Sequence, residues 1–290
     1  MLSIKTLAAL DCYLWLEHGN EVATRLKTTQ STISRQIKSA LKEMQIDLYP
    51  GMGSEHSELR GDISLLVEER RVHQLARLSG KAEKRIEANY WSGPIFLDQI
   101  TNDWICGTYS IMGMNRPLQL LNDRIIDAWI GSYQPDLPDN NSDWWVLDLL
   151  TMPVHILVSS NHPLAGIKSL TKGDLDAFPS LALPEGWFPK SEAILRNQGL
   201  WSDTVRKKRY NPSIWEGRCE DDVTMSFGHS LSQTQSPGLV RLDWDLGLTS
   251  GEALVVRRDL QINPEINKIA EYLQNKAQII ATQHDDVVLA

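Results

Sequence analysis

The feature that most constrains this 290-residue sequence is an amphipathic segment near its start. Ile33, Ile37, Leu41 and Met44 recur at spacings of four, four and three residues, so they share one side of an α-helix. At about 100° per residue, the opposite side carries hydroxyl and cationic groups, with amide and hydroxyl groups at its flanks. These residues are Ser31, Arg35, Lys38 and Lys42, flanked by Gln30 and Ser34. Thr29 suits the N-cap, so the segment predicts a helix with a buried apolar face and an exposed cationic face.

Two shorter helical segments precede this helix. Leu7, Leu10 and Leu14 lie on one face of the first, and Glu21–Lys27 forms the second, followed by a tight turn at Thr28. Arginine and glutamine bind guanine and adenine edges, and lysine and hydroxyl groups bind phosphates, so the exposed stripe suits the DNA major groove. A solvated helix face has a similar composition, and composition alone favours that alternative. The three-helix context favours a helix-turn-helix.

The charge distribution is compatible with a local DNA-binding surface on an acidic protein. The formal net charge is −8, but residues 1–88 carry 13 basic and 12 acidic side chains, whereas residues 89–290 carry 16 and 25. A local cationic surface can bind phosphates while an acidic remainder limits unspecific binding.

The following segment is charged and has an apolar seam. Val72, Leu75, Ala82 and Ile86 fall on heptad spacing, which favours a helix that pairs with a second copy over a solitary surface helix.

From residue 89 onward, short β-like segments alternate with helical ones, which predicts an α/β fold with a largely parallel sheet. The predicted strands are Ala88–Trp91, Trp104–Ile111, Ile126–Gly131, Val154–Ser159, Ser180–Leu183, Val205–Tyr210 and Ala253–Arg257. The predicted helices are Ile95–Asn102, Leu118–Arg124, Lys172–Ala177, Lys190–Gln198, Trp215–Phe227 and Pro264–Asn275.

Several of these segments resemble LysR-type transcriptional regulators. In the DNA-binding domain the resemblance is carried by Ala23, Leu26, the run Gln-Ser-Thr-Ile-Ser-Arg-Gln-Ile-Lys at 30–38, and Leu48-Tyr49. In the second half it is carried by Ile125–Gly131, by Val154–Ser159 with the His-Pro-Leu-Ala turn at 162–165, and by Arg257–Gln274.

The resemblance implies a domain plan and a function. It implies a winged helix-turn-helix DNA-binding domain at 1–61, a linker (dimerisation) helix at 62–88, and a two-lobed, periplasmic-binding-protein-like effector-binding domain at 89–290. The expected function is ligand-responsive transcription regulation by a homodimer or tetramer on double-stranded DNA with an inverted-repeat operator. The alternative is a small-molecule-sensing module whose winged domain no longer binds DNA, because the first cation of the wing is as late as Arg60.

The resemblance also implies two sets of site residues. The expected DNA-binding residues are Thr29, Gln30, Ser31, Thr32, Ser34, Arg35 and Lys38. The expected effector-binding residues follow predicted strands and are Ser92, Gly93, Ser132, Tyr133, Pro184, Glu185 and Trp187. Their backbone N–H groups and hydroxyls suit a small anion or polar metabolite, although plain turns have the same composition.

Other functional classes find little support in the sequence. There is no nucleophile-elbow, P-loop or dinucleotide-binding motif, so we expect no enzyme and no cofactor. The three cysteines are scattered and the histidines show no ligand spacing, so we expect no metal and a reducing, cytoplasmic location. No apolar run is long enough to span a membrane. Trp144-Trp145 beside Asp143 permits an aromatic cage for a cation, but core or interface packing is the favoured interpretation.

Overall fold

The computed structural model describes residues 1–49, 51, 56–132, 135–182, 185–204, 222–234 and 238–290. The chain divides into two compact units. Unit 1 comprises Met1–Glu87, Ile100–Thr108 and Pro117–Trp129, and unit 2 comprises Ala88–Gln99, Tyr109–Arg116 and Ile130–Ala290.

Unit 1 begins with a three-helix head formed by α1 (Ile4–Leu16), α2 (Gly19–Arg25) and α3 (Gln30–Met44). Helix α1 starts after Ser3, whose hydroxyl accepts the N–H of Thr6 at 3.1 Å. The helices pack against one another and bury their apolar faces. The buried side chains include Leu7, Leu10, Leu14, Val22, Ile33 and Ile37. Each full burial of a leucine or isoleucine contributes roughly 1.5–3 kcal/mol, so this core stabilises the head.

A short hairpin follows the head, as the winged motif requires. Strand β1 (Asp47–Tyr49) pairs antiparallel with β2 (Glu58–Arg60), with Leu48 opposite Leu59. The guanidinium of Arg60 lies 4.0 Å from the centroid of the Tyr49 ring. This cation–π contact fixes the cation on the hairpin.

The predicted linker helix at 62–88 is too long. Helix α4 spans Ser64–Leu78, and Lys84–Ala88 forms strand β3 instead of helix. Gly80 ends the helix in the left-handed region with φ +77°, its N–H donating to Arg77 O at 3.0 Å while Lys81 N–H donates to Ala76 O at 2.9 Å. This pair of bonds is the Schellman motif, which stops a helix at a glycine.

The remaining elements alternate only in part as the sequence predicts. They are α5 (Ser92–Phe96), β4 (Trp104–Cys106), α6 (Asn115–Asn122), β5 (Ala128–Ser132), β6 (Trp144–Pro153), β7 (His155–Ser159), α7 (Lys172–Asp176), β8 (Leu181–Ala182), α8 (Pro189–Asn197), β9 (Asp203–Thr204), β10 (Ser226–Gly228), α9 (Ser230–Gln233), β11 (Leu239–Arg241), β12 (Thr249–Arg257), a 3₁₀ turn (Arg258–Leu260), α10 (Pro264–Ala281) and β13 (Val288–Leu289). Strands β5, β6 and β7 follow one another, and β6, β10 and β11 were not predicted. The predicted strand Val205–Tyr210 lies outside the described residues, as does most of the predicted helix Trp215–Phe227, whose last two residues belong to β10.

The strand pairing corrects the predicted largely parallel sheet. Strand β3 pairs parallel with β4 in unit 1, and β8 pairs parallel with β9 in unit 2. The order β13-β6-β12 in unit 2 is antiparallel, and so is the three-stranded sheet β10-β7-β11. Strand β6 carries the chain towards a second lobe and β12 brings it back. The two paired strands therefore run antiparallel.

Unit 2 has the two-lobed form that the sequence predicts. The chain enters the second lobe at Val154 and leaves it at Leu248, and the N–H of Val154 donates to the carbonyl of Leu248 at 2.8 Å. The second lobe has its own apolar core, which includes Ile156, Leu195 and Met225. The α/β fold with an N-terminal winged helix-turn-helix is confirmed.

Candidate nucleic-acid interface and ligand site

Helix α3 is capped and oriented as its sequence predicts. The hydroxyl of Thr29 accepts the N–H of Thr32 at 3.3 Å, which fixes the N-terminus of the helix. Ile33, Ile37 and Met44 are buried, and Ala40 takes the fourth buried position that we expected for Leu41, which is half-buried. The apolar face of α3 therefore points into the head.

The residues that we expect to contact DNA lie on the opposite, accessible side of α3. Thr29, Gln30, Ser31, Arg35 and Lys38 are exposed, whereas Thr32 and Ser34 are half-buried. Arg35 Nη2 donates to the Thr32 hydroxyl at 3.2 Å, so the arginine lies along the helix surface. The hydroxyl groups surround the helix N-terminus, where backbone N–H groups favour a phosphate.

Two further cations are exposed in α3 and in the hairpin that follows the head. Lys42 is exposed in the last turn of α3, and Arg60 is exposed on the hairpin that follows. Arg60 is not among the DNA-binding residues that the sequence predicts. Its proximity to Tyr49 follows from the hairpin register, in which Tyr49 pairs with Glu58 and Asp47 pairs with Arg60.

Ser92 and Gly93, which we expect to bind an effector, lie at the start of α5 and are buried. The hydroxyl of Ser92 accepts the N–H of Asn89 at 3.1 Å. A Cβ atom at Gly93 would overlap the ring of Tyr109, so this position requires glycine. Tyr109 therefore covers the surface that Gly93 would offer.

The other predicted effector residues are dispersed. Ser132 is buried at the end of β5, with its hydroxyl 3.3 Å from that of Ser250. Glu185 is exposed, and Trp187 is half-buried with its ring against Gly113, where a Cβ atom would lie 3.0 Å from Trp187 Cδ2. Tyr133 and Pro184 lie outside the described residues.

Ser92 and Ser132 belong to a set of buried polar residues in unit 2 that we term the buried polar cluster. Strand β12 contributes two residues of the same face, Ser250 and Glu252. The indole N–H of Trp91 donates to Glu252 Oε1 at 2.7 Å, and the Trp91 ring contacts the His229 ring edge-to-face at 5.3 Å between centroids. The members are Trp91, Ser92, Ser132, His229, Ser250 and Glu252. Because His229 comes from the second lobe, the cluster joins both lobes.

Glu252 is the most unusual member of the buried polar cluster. Its side chain is inaccessible to solvent, and burial raises the pKa of its carboxyl group to about 8, although the Trp91 N–H and the Ser92 hydroxyl offset part of that rise. The carboxyl is therefore mostly protonated at neutral pH. Trp91 donates to Oε1, so the proton belongs on Oε2, which has no hydrogen-bond partner among the described residues.

His229 presents a second unpaired donor. Its Nδ1 accepts the N–H of Ser232 at 3.4 Å, which assigns the ring proton to Nε2. Burial lowers the pKa of His229 to about 3, so the ring is neutral at physiological pH. Nε2 has no partner within the described part of the chain. The adjacent Ser230 is held by Asp286 and Arg241, which fixes the turn that carries the histidine.

Sequence reasoning found Ser92 and Ser132 of the buried polar cluster but missed Trp91, His229, Ser250 and Glu252. Ser92 and Ser132 follow predicted strands, whereas the missed residues lie at the end of, or next to, segments that we predicted only as strands or helices. Glu252 alone had a visible signal, because a carboxylate directly before the apolar run 253–256 of a predicted strand must be either exposed or specifically accommodated.

No group of three or more metal-binding side chains occurs in the described ranges. In the same ranges, no helix has the length and apolar character that crossing a membrane requires.

Comparison with known proteins gives one curated relative and several structures of similar fold. A probable nitrogen assimilation transcriptional activator of Synechococcus elongatus is 30% identical over 184 residues, which cover 58% of this chain and 59% of the relative. The match thus spans less than two thirds of that relative. No family model matches the chain.

The similar structures extend over almost the whole chain. Full-length OxyR of Pseudomonas aeruginosa has a TM-score of 0.57 at 16% identity, covering 96% of this chain and 95% of that one. CbnR, a LysR family transcriptional regulator, has a TM-score of 0.55 at 15% identity, covering 95% and 99%. CbnR complexed with its target DNA gives 0.54 at 14% identity, covering 95% and 100%. The chain has the fold of full-length regulators of this kind.

Proposed function

Because the chain shares the fold of LysR family regulators, we propose that it is a ligand-responsive, DNA-binding transcriptional regulator. The observation that carries the proposal is helix α3, whose isoleucines are buried while Arg35 and Lys38 are exposed beside a capped helix N-terminus. The arginine supplies a bidentate donor for guanine, and the lysine and hydroxyl groups supply phosphate contacts. The curated relative is named as a transcriptional activator and CbnR as a transcriptional regulator, which favours this function over catalysis.

We propose that two copies bind DNA together. Helix α4 exposes Leu65, Val72 and Leu75, which are 59%, 57% and 58% accessible and lie on one face at heptad spacing. A second α4 would bury this face. Two α3 helices then enter successive major grooves about 34 Å apart, which requires a partial inverted repeat in the operator.

We propose the buried polar cluster as the effector site. Glu252 Oε2 and His229 Nε2 are both buried donors without acceptors in the described residues, and such groups cost roughly 1–3 kcal/mol each. A small molecule that presents carbonyl or carboxylate oxygens satisfies both. Because the cluster joins the two lobes, a ligand bound there would change how far the lobes close. Lobe closure would in turn change the relative positions of the two DNA-binding domains in the dimer.

The test is a gel-shift titration of the full-length protein against genomic fragments at several salt concentrations. Fragments from nitrogen-assimilation promoters are included because the Synechococcus relative is named for that role. We expect specific retention that weakens steeply as salt rises, since bound phosphates release counterions. Absence of retention even at low salt would contradict the proposal and favour the sensor without DNA affinity. DNA binding also requires access to the chromosome, so the cytoplasmic location is part of the same proposal.

A further inference from the structure

Unit 1 contains a cavity of about 400 Å³ beside the predicted DNA-reading helix. Its wall includes the first turns of α1, the turn between α2 and α3, the inner flank of α3, and residues from α4 to β4. This volume falls within the range of roughly 300–1,000 Å³ that is typical of small-molecule sites.

The cavity wall carries more basic than acidic side chains. Four basic side chains line it, Lys5, Lys27, Arg77 and Arg85, against a single carboxylate, Glu83. Lys27 lies 3.7 Å from Glu83, so that carboxylate is already paired at the cavity rim. An excess of positive charge around a concave surface favours an anion.

Arg85 is the buried member of this wall and is incompletely paired. Its side chain is 4% accessible, its Nη1 donates to the carbonyl of Ile125 at 2.9 Å, and the same Nη1 lies 3.7 Å from Asp11 Oδ2. Nε has no acceptor among the described residues. A buried guanidinium normally has carboxylate or phosphate partners with short, often bidentate bonds.

The neighbouring arginines take the nearby carboxylates. Arg77 forms a bidentate pair with Asp127, with Nε and Nη2 each at 2.8 Å from a carboxylate oxygen. Arg70 Nε donates to Asp11 Oδ1 at 2.8 Å, and the second oxygen of Asp11 lies 3.7 Å from Arg85 Nη1. Among the described residues, Arg85 is thus a buried cation that borders a cavity and has only this long ion pair with a carboxylate.

We propose that this cavity binds a small oxyanion, a metabolite with a phosphate or carboxylate group that pairs with Arg85 and is flanked by Lys5. The site is separate from the buried polar cluster, all of whose residues belong to unit 2. Thr28, Thr32 and Gln36 also line the cavity. An anion in the cavity contacts the turn before α3 and helix α3 itself, which we expect to read DNA. The three-helix head therefore has a ligand site of its own.

The experiment measures urea unfolding of the full-length protein with increasing inorganic phosphate or, separately, acetate, at constant ionic strength maintained with chloride. A ligand that binds the folded state raises the unfolding midpoint in a saturable manner, which gives an apparent dissociation constant. We expect saturable stabilisation by at least one of the two anions. Arg85→Gln should weaken it at least about tenfold, because a charge-assisted hydrogen bond is lost. Lys5→Ala should weaken it about two- to fivefold, as for an exposed cation.

Two matched variants locate the anion. Lys168→Ala removes an exposed lysine of the second lobe and Arg35→Ala removes an exposed arginine of α3, and both should keep the native dissociation constant. The proposal is overturned if neither anion stabilises beyond chloride, if Lys5→Ala binds as tightly as the native chain, or if Arg35→Ala abolishes the effect. If Arg85→Gln does not fold, Lys5→Ala decides. The measurement involves no DNA, so its failure leaves the proposed regulator function standing.

Discussion

At the scale of single residues, Arg35 carries the sharpest consequence of the proposed function. The side chain is exposed on α3 and its 3.2 Å hydrogen bond to Thr32 stays within the same helix, so its removal leaves the head intact. Arg35→Ala should weaken binding to the specific operator by about 1–3 kcal/mol and relax base preference at one position. Fluorescence anisotropy with operator and single-base variants measures both effects.

The control for Arg35 is another exposed arginine on a helix. Arg196 of α8 pairs with Glu192 at 2.8 Å on the same helix, and Arg196→Ala should leave DNA affinity unchanged. Equal affinity of native protein and Arg35→Ala would remove α3 from the DNA interface.

Glu252 predicts a pH dependence of stability. Its pKa is about 8 in the folded chain and 4.5 in the unfolded chain, so the folded state holds a proton that the unfolded state has lost between these values. Stability from this group is full below pH 4.5 and falls as pH rises towards 8. Between pH 6.5 and 8 the free energy of unfolding should drop by about 1–2 kcal/mol.

The effect of Glu252 is measured by urea denaturation at pH 6.5, 7.2 and 8.0. Glu252→Gln cannot ionise and keeps an acceptor for Trp91, so its stability should be nearly constant over this range. His229, whose pKa falls from 6.5 to about 3, adds less than about half a kcal/mol of stability as pH rises through this window, because the unfolded-state ring is half protonated at pH 6.5, and this small change is the same in both proteins. An equal slope in native and Glu252→Gln protein would exclude a protonated Glu252.

The residues that the sequence identified correctly are those whose role is local. Thr29 caps α3 because its own hydroxyl reaches an N–H three residues later, and the isoleucine period needs no knowledge of the rest of the fold. Glu252 and His229 are 23 residues apart in sequence but both contact Trp91, which lies more than 130 residues earlier. Such long-range placement cannot be read from one sequence.

At the scale of elements, α4 shows where periodicity was insufficient. Val72 and Leu75 lie on a helix, as predicted, and both are exposed, but Ile86, assigned to the same seam, lies buried in β3. The helix ends at Ser79-Gly80. Because the heptad spacing continues past this glycine, the spacing alone gave no sign that the helix stops there. Strand β6, which contains Trp144-Trp145, was missed because its side chains alternate irregularly in burial.

The exposed face of α4 predicts how the chain associates. A double variant, Val72→Glu with Leu75→Glu, places four like charges at a two-fold contact and should weaken self-association at least about tenfold. Analytical ultracentrifugation over a concentration series measures it. Ile167→Glu is the matched control, because Ile167 is 45% accessible in a turn of the second lobe. Unchanged association of the double variant would place the contact elsewhere.

At the scale of the whole molecule, the α/β class was predictable, but several strands and the pairing of strands were not. Alternating strands and helices indicated an α/β chain, and the His-Pro-Leu-Ala turn marked the start of the second lobe. Antiparallel β12 follows from a chain that crosses between lobes at Val154 and returns at Leu248, a path that local patterns do not encode. The interlobe contacts, including His229 on Trp91, depend on that path.

The protonated state of Glu252 makes effector recognition visible in the heat of binding. A ligand carboxylate beside Glu252 disfavours its ionised form, so at pH 8, where about half of the molecules are ionised, binding should take up as much as about 0.5 proton from the buffer. A cationic ligand would release protons instead. Isothermal titration calorimetry in phosphate and in Tris, whose ionisation enthalpies differ widely, gives the sign directly, and Glu252→Gln should bind with equal enthalpy in both buffers.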